Sequence, residues 1–444
     1  MASAAPAPSL AAPRPARPDA MAWAGLALLC AGQVISMLER TVLNMTVDPI
    51  KADLGITDTQ VSLLQGFAFA LFYALMAIPL GRWADRHNRR NLIATGAILF
   101  SAATFGCGLA GSFVMLFGCR LLAGAGEATL APAGYSMLAD WFPPARFGLA
   151  VGLFVGATYA GSGLSLMLLG KLLGWLAALP QPDLPLVGRP ADWQLAFMLA
   201  ALPGFAFAGA LMALREPARS GGALAPVSFA GTGRFLRDHA ATLAPIFLGV
   251  PLLAAAQFGM NAWLPTFFGR AHGLAPAEIG PRLGLMLTVL SCLGVVVGGA
   301  CADRITVRGS GRPWLVVPAL SALLALPFAI AYPLAATPQA ALALLAPVLF
   351  FGAMPFGAGT AGIAAVAPAN LRAQLMALYM LAANLVGAGG GPWTVATITD
   401  RVLGDPARLG TSLAIAIPAL TLAGVAVVAT GWARGRRAAA APAG

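Results

Sequence analysis

Charged residues are scarce in this 444-residue chain: aspartate, glutamate, lysine and arginine together make up only 10% of it. A soluble domain carries about a quarter, so the composition excludes a soluble globular protein. The chain has three histidines and five cysteines, and the cysteines lack CxxC spacing. Their odd number and spacing argue against a disulfide framework and a zinc site. Its sixteen acidic residues are too few for a metal cluster, so we expect no cofactor.

Catalytic and nucleic-acid-binding patterns are missing as well. The sequence contains no HExxH, GxSxG or P-loop pattern, so we predict that the protein is not an enzyme. The net charge of +11 comes from basic residues scattered over short segments, without a stripe interleaved with aromatics. This pattern argues against nucleic acid as a partner and suits contact with the anionic headgroups of membrane lipids.

Long hydrophobic runs are what the chain has in abundance, since 59% of its residues are hydrophobic. Many charge-free runs reach about 20 residues, the length that a helix needs to cross hydrocarbon. The longest, from Pro313 to Leu371, would be about 88 Å long as one helix. It must fold back, and Pro333 to Pro338 is the predicted turn. The pattern predicts an all-α polytopic membrane protein with twelve transmembrane helices.

The arginines and lysines between the spans indicate orientation. With twelve spans both ends lie on one side, and that side receives eighteen basic residues against six on the other. Cytoplasmic loops carry such an excess. We therefore expect both termini in the cytoplasm, in a bacterial inner membrane.

The chain repeats one pattern at equivalent places. G-x-x-A-D-R-x-x-x-R follows the second span and again the eighth, and Arg146 after the fourth span is matched by Arg372 after the tenth. The repeat predicts two pseudo-symmetric six-helix bundles around a midplane cavity. We expect bundles at 21–214 and 242–433, a cytoplasmic linker at 215–241, and cytoplasmic tails at 1–20 (disordered) and 434–444.

These loops resemble the signature of the major facilitator superfamily. A narrower resemblance, to the spinster-like branch of sphingolipid and lysolipid transporters, lies in the fourth and fifth helices and in the Glu39-Arg40 pair. Its residues are Arg120-Leu-Leu-Ala-Gly124-Ala-Gly126-Glu127-Ala128, Pro132, Ser136, Asp140, Phe142-Pro143 and Arg146. The branch more often carries aspartate where this chain has Glu39.

The resemblance implies alternating access by rocking of the two bundles, with a cytoplasmic latch that holds the outward-facing state. An alternative is that its arginines only anchor the loops on the positive side. Exposed ion pairs of ~0–1 kcal/mol each suit a reversible latch. The latch residues would be Gly81, Asp85, Arg86, Arg90, Gly299, Asp303, Arg304, Arg308, Asp140, Arg146 and Arg372.

Four charged residues lie inside predicted spans: Glu39, Arg40, Arg120 and Glu127. Each costs roughly 2.5–3.5 kcal/mol at the centre of a membrane helix, so they must pair or face water. Arg120 and Glu127 share a helix face but lie roughly 10.5 Å apart along the axis. A third group or water must therefore join them, and Glu39-Arg40 is the natural counterpart.

Proton coupling is one interpretation of this cluster. Poor solvation favours the protonated carboxyl, whereas a neighbouring arginine favours the ionised one. Movement of Arg120 away from Glu127 would then switch proton affinity. A permanent salt-bridge cluster between the first and fourth helices is the alternative, and binding of an anionic headgroup by Arg40 or Arg120 is compatible with either.

The second bundle offers polar and aromatic candidates for the cavity wall instead of charges: Asn261, Trp263, Asn384 and Trp393. Hydrogen bonding between helices explains the asparagines equally well. The asymmetry suggests an amphiphilic solute whose charge contacts the first bundle and whose apolar part contacts the second.

We therefore predict a monomeric secondary transporter, proton-coupled, of an organic anion or lysolipid-like amphiphile. The alternatives are a carboxylate or sugar-acid symporter, a drug exporter, or a non-transporting membrane sensor. The fifth span lacks the proline of the G-P-x-x-G-G run that proton antiporters carry. Symport, antiport and uniport all remain open.

Overall fold

The computed structural model describes residues 18–180, 183, 188–219, 229–307, 313–355, 363 and 367–440. The regular elements in these residues are helices. Eleven of them are long and apolar enough to cross a membrane, and the shorter apolar helix Pro338–Ala353 occupies the place of the tenth predicted span. The all-α polytopic class is confirmed.

The first half contains six long helices. They are α1 (Ala20–Met45), α2 (Asp58–Ser62, then Leu63–Phe67 and Ala68–Arg86), α3 (Arg89–Gly108), α4 (Phe113–Glu127, then Leu130–Trp141), α5 (Pro144–Ala177) and α6 (Asp192–Ala213). A short helix, Val47–Leu54, connects α1 to α2. The segment Leu63–Phe67 is a π-helical turn, an insertion often found at functional sites.

The second half contains the other six. They are α7 (Ala240–Ala244, then Pro245–Gly249 and Val250–His272), α8 (Pro276–Met286, then Leu287–Ser291 and Cys292–Val307), α9 (Pro313–Ala331), α10 (Pro338–Ala353), α11 (Ala369–Ala382, then Ala383–Gly390, Gly391–Thr397 and Ile398–Leu403) and α12 (Leu409–Ala440). The predicted turn between Pro333 and Pro338 is present, because a 3-10 turn, Tyr332–Leu334, ends α9.

Local sequence explains where several helices begin. Thr57 and Gln60 form a capping box at the start of α2, and Asn88 and Ser112 accept backbone N–H groups at the starts of α3 and α4. Such side chains satisfy donors that have no partner inside the helix. Gly273 has a φ of 66° where α7 ends, a conformation that favours glycine over other residues.

The predicted linker and tails are only partly described. Residues 1–17, 220–228 and 441–444 lie outside the described residues. Within the linker a helix runs over Phe229–Asp238, and α12 continues to Ala440 rather than ending near 433. The alanine-rich end of the chain explains the longer α12, because alanine has the highest helix propensity.

Two faces of the molecule can be distinguished. The odd-loop face carries the connections after α1, α3, α5, α7, α9 and α11, and the even-loop face carries the other connections. Near the odd-loop face the halves pack closely through glycines. A Cβ atom added at Gly163 of α5 would lie 2.3 Å from Gly284 O of α8, and one at Gly66 of α2 would lie 1.8 Å from Ala388 O of α11. Small residues allow such close approach of membrane helices.

The same face of α5 is open near the even-loop face. Gly148, Gly152 and Gly156 share the face of Gly163, since their spacings are close to whole helical turns. A Cβ atom added at any of the three would have no heavy atom of a described residue within 4 Å, apart from its own helix backbone and chain neighbours. Among the described residues, the two halves are therefore closed against each other along α5 and α8 at the odd-loop end, and α5 has no close neighbour from the second half at these three glycines.

Replacing Gly163 with alanine is expected to disfavour this state. The new methyl group would overlap Thr288 and Gly284, and overpacking typically costs ~1–3 kcal/mol. The equilibrium should shift roughly tenfold toward a state that is open at the odd-loop face. The measurement is the labelling rate of a cysteine replacing Leu166, which is 5% exposed, by an impermeant maleimide. Gly156→Ala is the matched control, and equal labelling rates for the two variants would contradict the assignment.

Candidate functional site

The candidate site lies inside the first half, where α1 and α4 meet. Arg40 Nη1 donates to Glu127 Oε1 over 3.3 Å, which joins the two helices. The Glu127 side chain is buried, whereas 24% of the Arg40 side chain is exposed. Arg40 therefore pairs with a buried carboxylate and still presents a cationic surface.

Phe69 of α2 lies close to two guanidinium groups. The Arg40 guanidinium is 4.3 Å from its ring centroid, and that of Arg120 is 5.4 Å away. A cation over an aromatic ring is stabilised by about 0.5–2 kcal/mol, and more strongly when desolvated. The fully buried Phe69 thus holds two like charges in one site. No pattern in the sequence distinguished Phe69 from the other aromatics of α2.

Arg120 of α4 is 1% exposed, so its charge is almost fully removed from water. Its Nε donates to the carbonyl oxygen of Leu64 over 3.2 Å, in the π-helical turn of α2. Its Nη1 is buried and has no hydrogen-bond partner among the described residues. A buried cation with an unsatisfied donor can accept a new anionic partner at little further desolvation cost.

Glu39 points to a different helix from Arg40. Its side chain is fully buried, and its Oε1 accepts a hydrogen bond of 2.8 Å from Ser101 Oγ of α3. The separation follows from helix geometry, because residues i and i+1 do not share a face. The site therefore has two carboxyl positions, Glu127 beside Arg40 and Glu39 beside Ser101.

The predicted latch residues divide between described and undescribed parts of the chain. Arg308 lies outside the described residues, as do the side chains of Asp85 and Arg372. Arg86, Arg146, Asp303 and Arg304 are exposed, and a Cβ atom added at Gly81 or Gly299 would meet nothing within 4 Å. In this state Arg90 bonds within the first half, donating to Leu214 O over 2.9 Å.

Arg89, the neighbour of Arg90, makes the buried ion pairs of this region. It is 1% exposed and binds Asp140 of α4 and Glu216 of the linker, the latter over 3.1 Å. Asp140 is one of the predicted latch residues, whereas no pattern in the sequence indicates Arg89. The loop pattern could not separate two adjacent arginines, since only their positions on α3 decide which one turns inward.

The four candidates of the second half differ in environment. Trp263 is fully buried and its indole N–H donates to Pro392 O over 3.1 Å, so in this state it packs α7 against α11 and lines no open wall. Asn261 is partly buried, and Asn384 Nδ2 bonds to Met380 O of its own helix. Trp393 is 44% exposed.

An ionic cluster at the odd-loop face joins the two halves. Arg270 of α7 binds Asp58 at 2.7 Å and Asp48 at 2.6 Å, and Lys51 also binds the fully buried Asp58. Thr59 of α2 donates to Asp400 of α11 through its backbone N–H and its hydroxyl. These residues, which we call the odd-loop cluster, close that face. The odd-loop cluster could not be predicted from the sequence, because the residues that it joins across the two halves are far apart along the chain.

Comparisons with known proteins agree with this geometry. The model of the Major Facilitator Superfamily matches residues 29–392. A solved bacterial homologue of the human lysosomal transporter Spinster, inward-facing and unoccupied, superimposes with a TM-score of 0.77 and 26% identity, over 94% of this chain and 96% of that one. The predicted resemblance to the spinster-like branch is confirmed.

Two curated relatives are bacterial transporters. An MFS-type efflux pump of Mycolicibacterium smegmatis is 26% identical over 433 residues, which are 94% of each chain. The hexuronate transporter of Escherichia coli is 26% identical over 299 residues, covering 62% of this chain and 64% of the relative. The chain is an integral membrane protein that belongs to the Major Facilitator Superfamily, a family of transporters and not of enzymes.

Proposed function

We propose that this chain is a proton-coupled secondary transporter that moves an organic anion or a lysolipid-like amphiphile by alternating access. The partly buried Arg40–Glu127 ion pair, with the buried Glu39 and Arg120 close by, carries the proposal. Membrane-embedded charges are costly and commonly mark ion or proton pathways. Two carboxyls and two guanidiniums in one half provide groups whose pairing changes when a proton binds.

The contacts support one coupling step. Protonation of Glu127 removes the charge that holds Arg40, so Arg40 becomes free to bind an anionic group of the substrate. Loss of the proton restores the Arg40–Glu127 pair and expels that group. Because Arg40 pairs either with Glu127 or with the anionic group of the substrate, binding of a proton to Glu127 favours binding of the anion to Arg40. The Arg120 Nη1 group, without a hydrogen-bond partner among the described residues, offers a second contact.

The chemistry of the two halves supports an amphiphile. The membrane-embedded cations Arg40 and Arg120 lie in the first half, and the second half contributes exposed apolar groups such as Trp393 and Met380, each 44% exposed. An anionic headgroup would contact Arg40 and an acyl chain would contact the apolar surfaces. The resemblance to the spinster-like branch implies this substrate class, and a bacterial Spinster homologue shares the fold.

The orientation and the latch belong to the same proposal. With the even-loop face and both termini in the cytoplasm of a bacterial inner membrane, the state described here is inward-facing. The latch of Asp85, Arg86, Asp303 and Arg304 would form when the even-loop ends approach in the outward-facing state. One chain holds the whole site, so the working unit is a monomer.

A sugar-acid symporter is the second candidate. The hexuronate transporter of Escherichia coli is a relative, and a carboxylate suits the paired guanidiniums of Arg40 and Arg120 as well as a phosphate does. A drug exporter is the third, since the Mycolicibacterium smegmatis relative is named an efflux pump.

Reconstituted flux separates these candidates. Proteoliposomes of the purified protein are given labelled lysophosphatidylethanolamine, D-glucuronate or ethidium, with and without an imposed pH difference. We expect the lysolipid to move, and its rate to rise severalfold when the pH difference is imposed. Movement of glucuronate alone would instead support a sugar-acid symporter, and movement of ethidium alone would support a drug exporter. Binding without movement of any probe would instead support a membrane sensor and contradict transport.

A further inference from the structure

A small cavity lies beside the charge cluster, between α1, α3, α4 and α6. It has a volume of about 20 Å³, and its polar lining comes from Ser36, Ser101, Glu127 and Thr129. A cavity needs roughly 10–15 Å³ and two to four polar partners to hold a water molecule. This cavity is large enough for one water and polar enough to bind it.

Two buried polar groups of this lining have no hydrogen-bond partner in the part of the chain that the structure describes. Ser36 is 3% exposed and its Oγ makes no hydrogen bond among the described residues. Glu127 is 9% exposed, and while Arg40 binds its Oε1, its Oε2 is likewise unpartnered. Buried polar groups are nearly always satisfied, so these two atoms indicate a bound polar ligand.

Backbone glycines create the space. Gly204 of α6 lies so close that an added Cβ atom would be 1.8 Å from Ser101 Oγ and 2.5 Å from Glu39 Oε1. At Gly96 of α3 it would be 2.0 Å from Thr129 Oγ1. Larger residues at either position would displace the hydroxyls that line the cavity.

We infer that this cavity is a water site through which Ser101 relays protons between Glu127 and Glu39. The inference rests on the proposed proton coupling. Ser101 is the link, because it lines the cavity and donates to Glu39 Oε1. Ser36 is a positioning residue that holds the water against Glu127.

Each proton is accounted for along the path from Glu127 through the water and Ser101 to Glu39. The proton on Glu127 passes to the water, which passes one of its own to Ser101 Oγ, and the Ser101 hydroxyl proton passes to Glu39 Oε1. The carboxylate charge moves from Glu39 to Glu127, and rotation of the Ser101 hydroxyl resets the path. The other titratable or charged groups near these carboxyls are Arg40, Arg120, Tyr73 and Cys107.

Infrared difference spectra of the purified full-length protein, acidic minus neutral, test the relay without any substrate. The C=O bands of the two protonated carboxyls are assigned by their loss in Glu39→Gln and Glu127→Gln. We expect Ser101→Ala to move the Glu127 band to higher frequency, although Ser101 bonds directly only to Glu39. Ser36→Ala should move the same band, and Ser101→Thr should restore it. A water O–H band that shifts in ¹⁸O-labelled water should disappear in Ser36→Ala.

Ser165→Ala is the matched control, because Ser165 is fully buried and its hydroxyl bonds to Gly161 O of its own helix, away from the cavity. A Glu127 band that neither Ser101→Ala nor Ser36→Ala moves would overturn the relay and leave the proposed transport intact. If one serine variant does not fold, the other decides. Absence of any carboxyl band lost in Glu39→Gln or Glu127→Gln would overturn the proposed proton coupling as well.

Discussion

Replacing Arg270 with alanine is expected to open the odd-loop face and shift the conformational equilibrium on the order of a hundredfold. Arg270 bonds Asp58, whose side chain is fully buried, and Asp48 across the two halves. Removing one partner of a buried ion pair costs about 3 kcal/mol or more. The lower value applies here because Lys51 still binds Asp58. Asp58 can become hydrated when the halves separate, so the substitution destabilises the closed state and not the open one.

The distance between two spin labels, measured by double electron–electron resonance, checks this shift. The exposed residues Ala52 and Ala271, one in each half, carry the labels on a background without native cysteines. Arg270→Ala should shift the distribution of distances between the labels at 52 and 271 from short to long distances. Arg282→Ala, which removes an exposed arginine near the same face, is the matched control. An unchanged distribution in Arg270→Ala would show that the odd-loop cluster does not hold the halves together.

Replacing Glu39 or Glu127 with glutamine is expected to abolish accumulation driven by a pH difference. One pH unit supplies ~1.4 kcal/mol per proton, enough for about tenfold accumulation of a coupled solute. A glutamine carries no transferable proton, so each variant should equilibrate its substrate without concentrating it. Exchange of labelled for unlabelled substrate needs no net proton movement and should continue.

The measurement compares accumulation and exchange in the same proteoliposomes, with whichever of lysophosphatidylethanolamine, D-glucuronate and ethidium the unmodified protein moves. Glu278→Gln, at an exposed position on α8, is the control and should behave as the unmodified protein. Tenfold accumulation by both Glu39→Gln and Glu127→Gln would remove these carboxyls from the coupling mechanism.

The fold could be predicted because its causes are local. Hydrophobic length gave the spans, and prolines near 333 and 338 gave the turn between α9 and α10. The duplicated loops indicated two halves. The proximity of α1 to α4 was also predictable. Charges inside spans must find partners, and so few charged residues lie inside spans that Arg40 and Glu127 are obvious candidates to pair.

The finer contacts could not be predicted, because they depend on helix rotation and on conformational state. Glu39 bonds Ser101 and not Arg120, and Arg89 rather than Arg90 is buried, because adjacent residues turn about 100° apart on a helix. The Arg270–Asp58 pair joins residues in opposite halves, which meet only when the odd-loop face is closed. No spacing in a sequence records which ends of two bundles are in contact.

The most direct measurement is the pH dependence of the Ala52–Ala271 spin-label distance. The Arg40–Glu127 pair lies within the first half, and in the proposed coupling its loss on protonation releases the state closed at the odd-loop face. Between about pH 6 and 8, a range in which ordinary aspartates such as those of the odd-loop cluster stay ionised, the lower pH should therefore populate the open state and the higher pH the closed one. A double variant, Glu39→Gln with Glu127→Gln, should lose this dependence. A double variant that still responds to pH as the unmodified protein does would contradict protonation of the first-half carboxyls as the driver of alternating access.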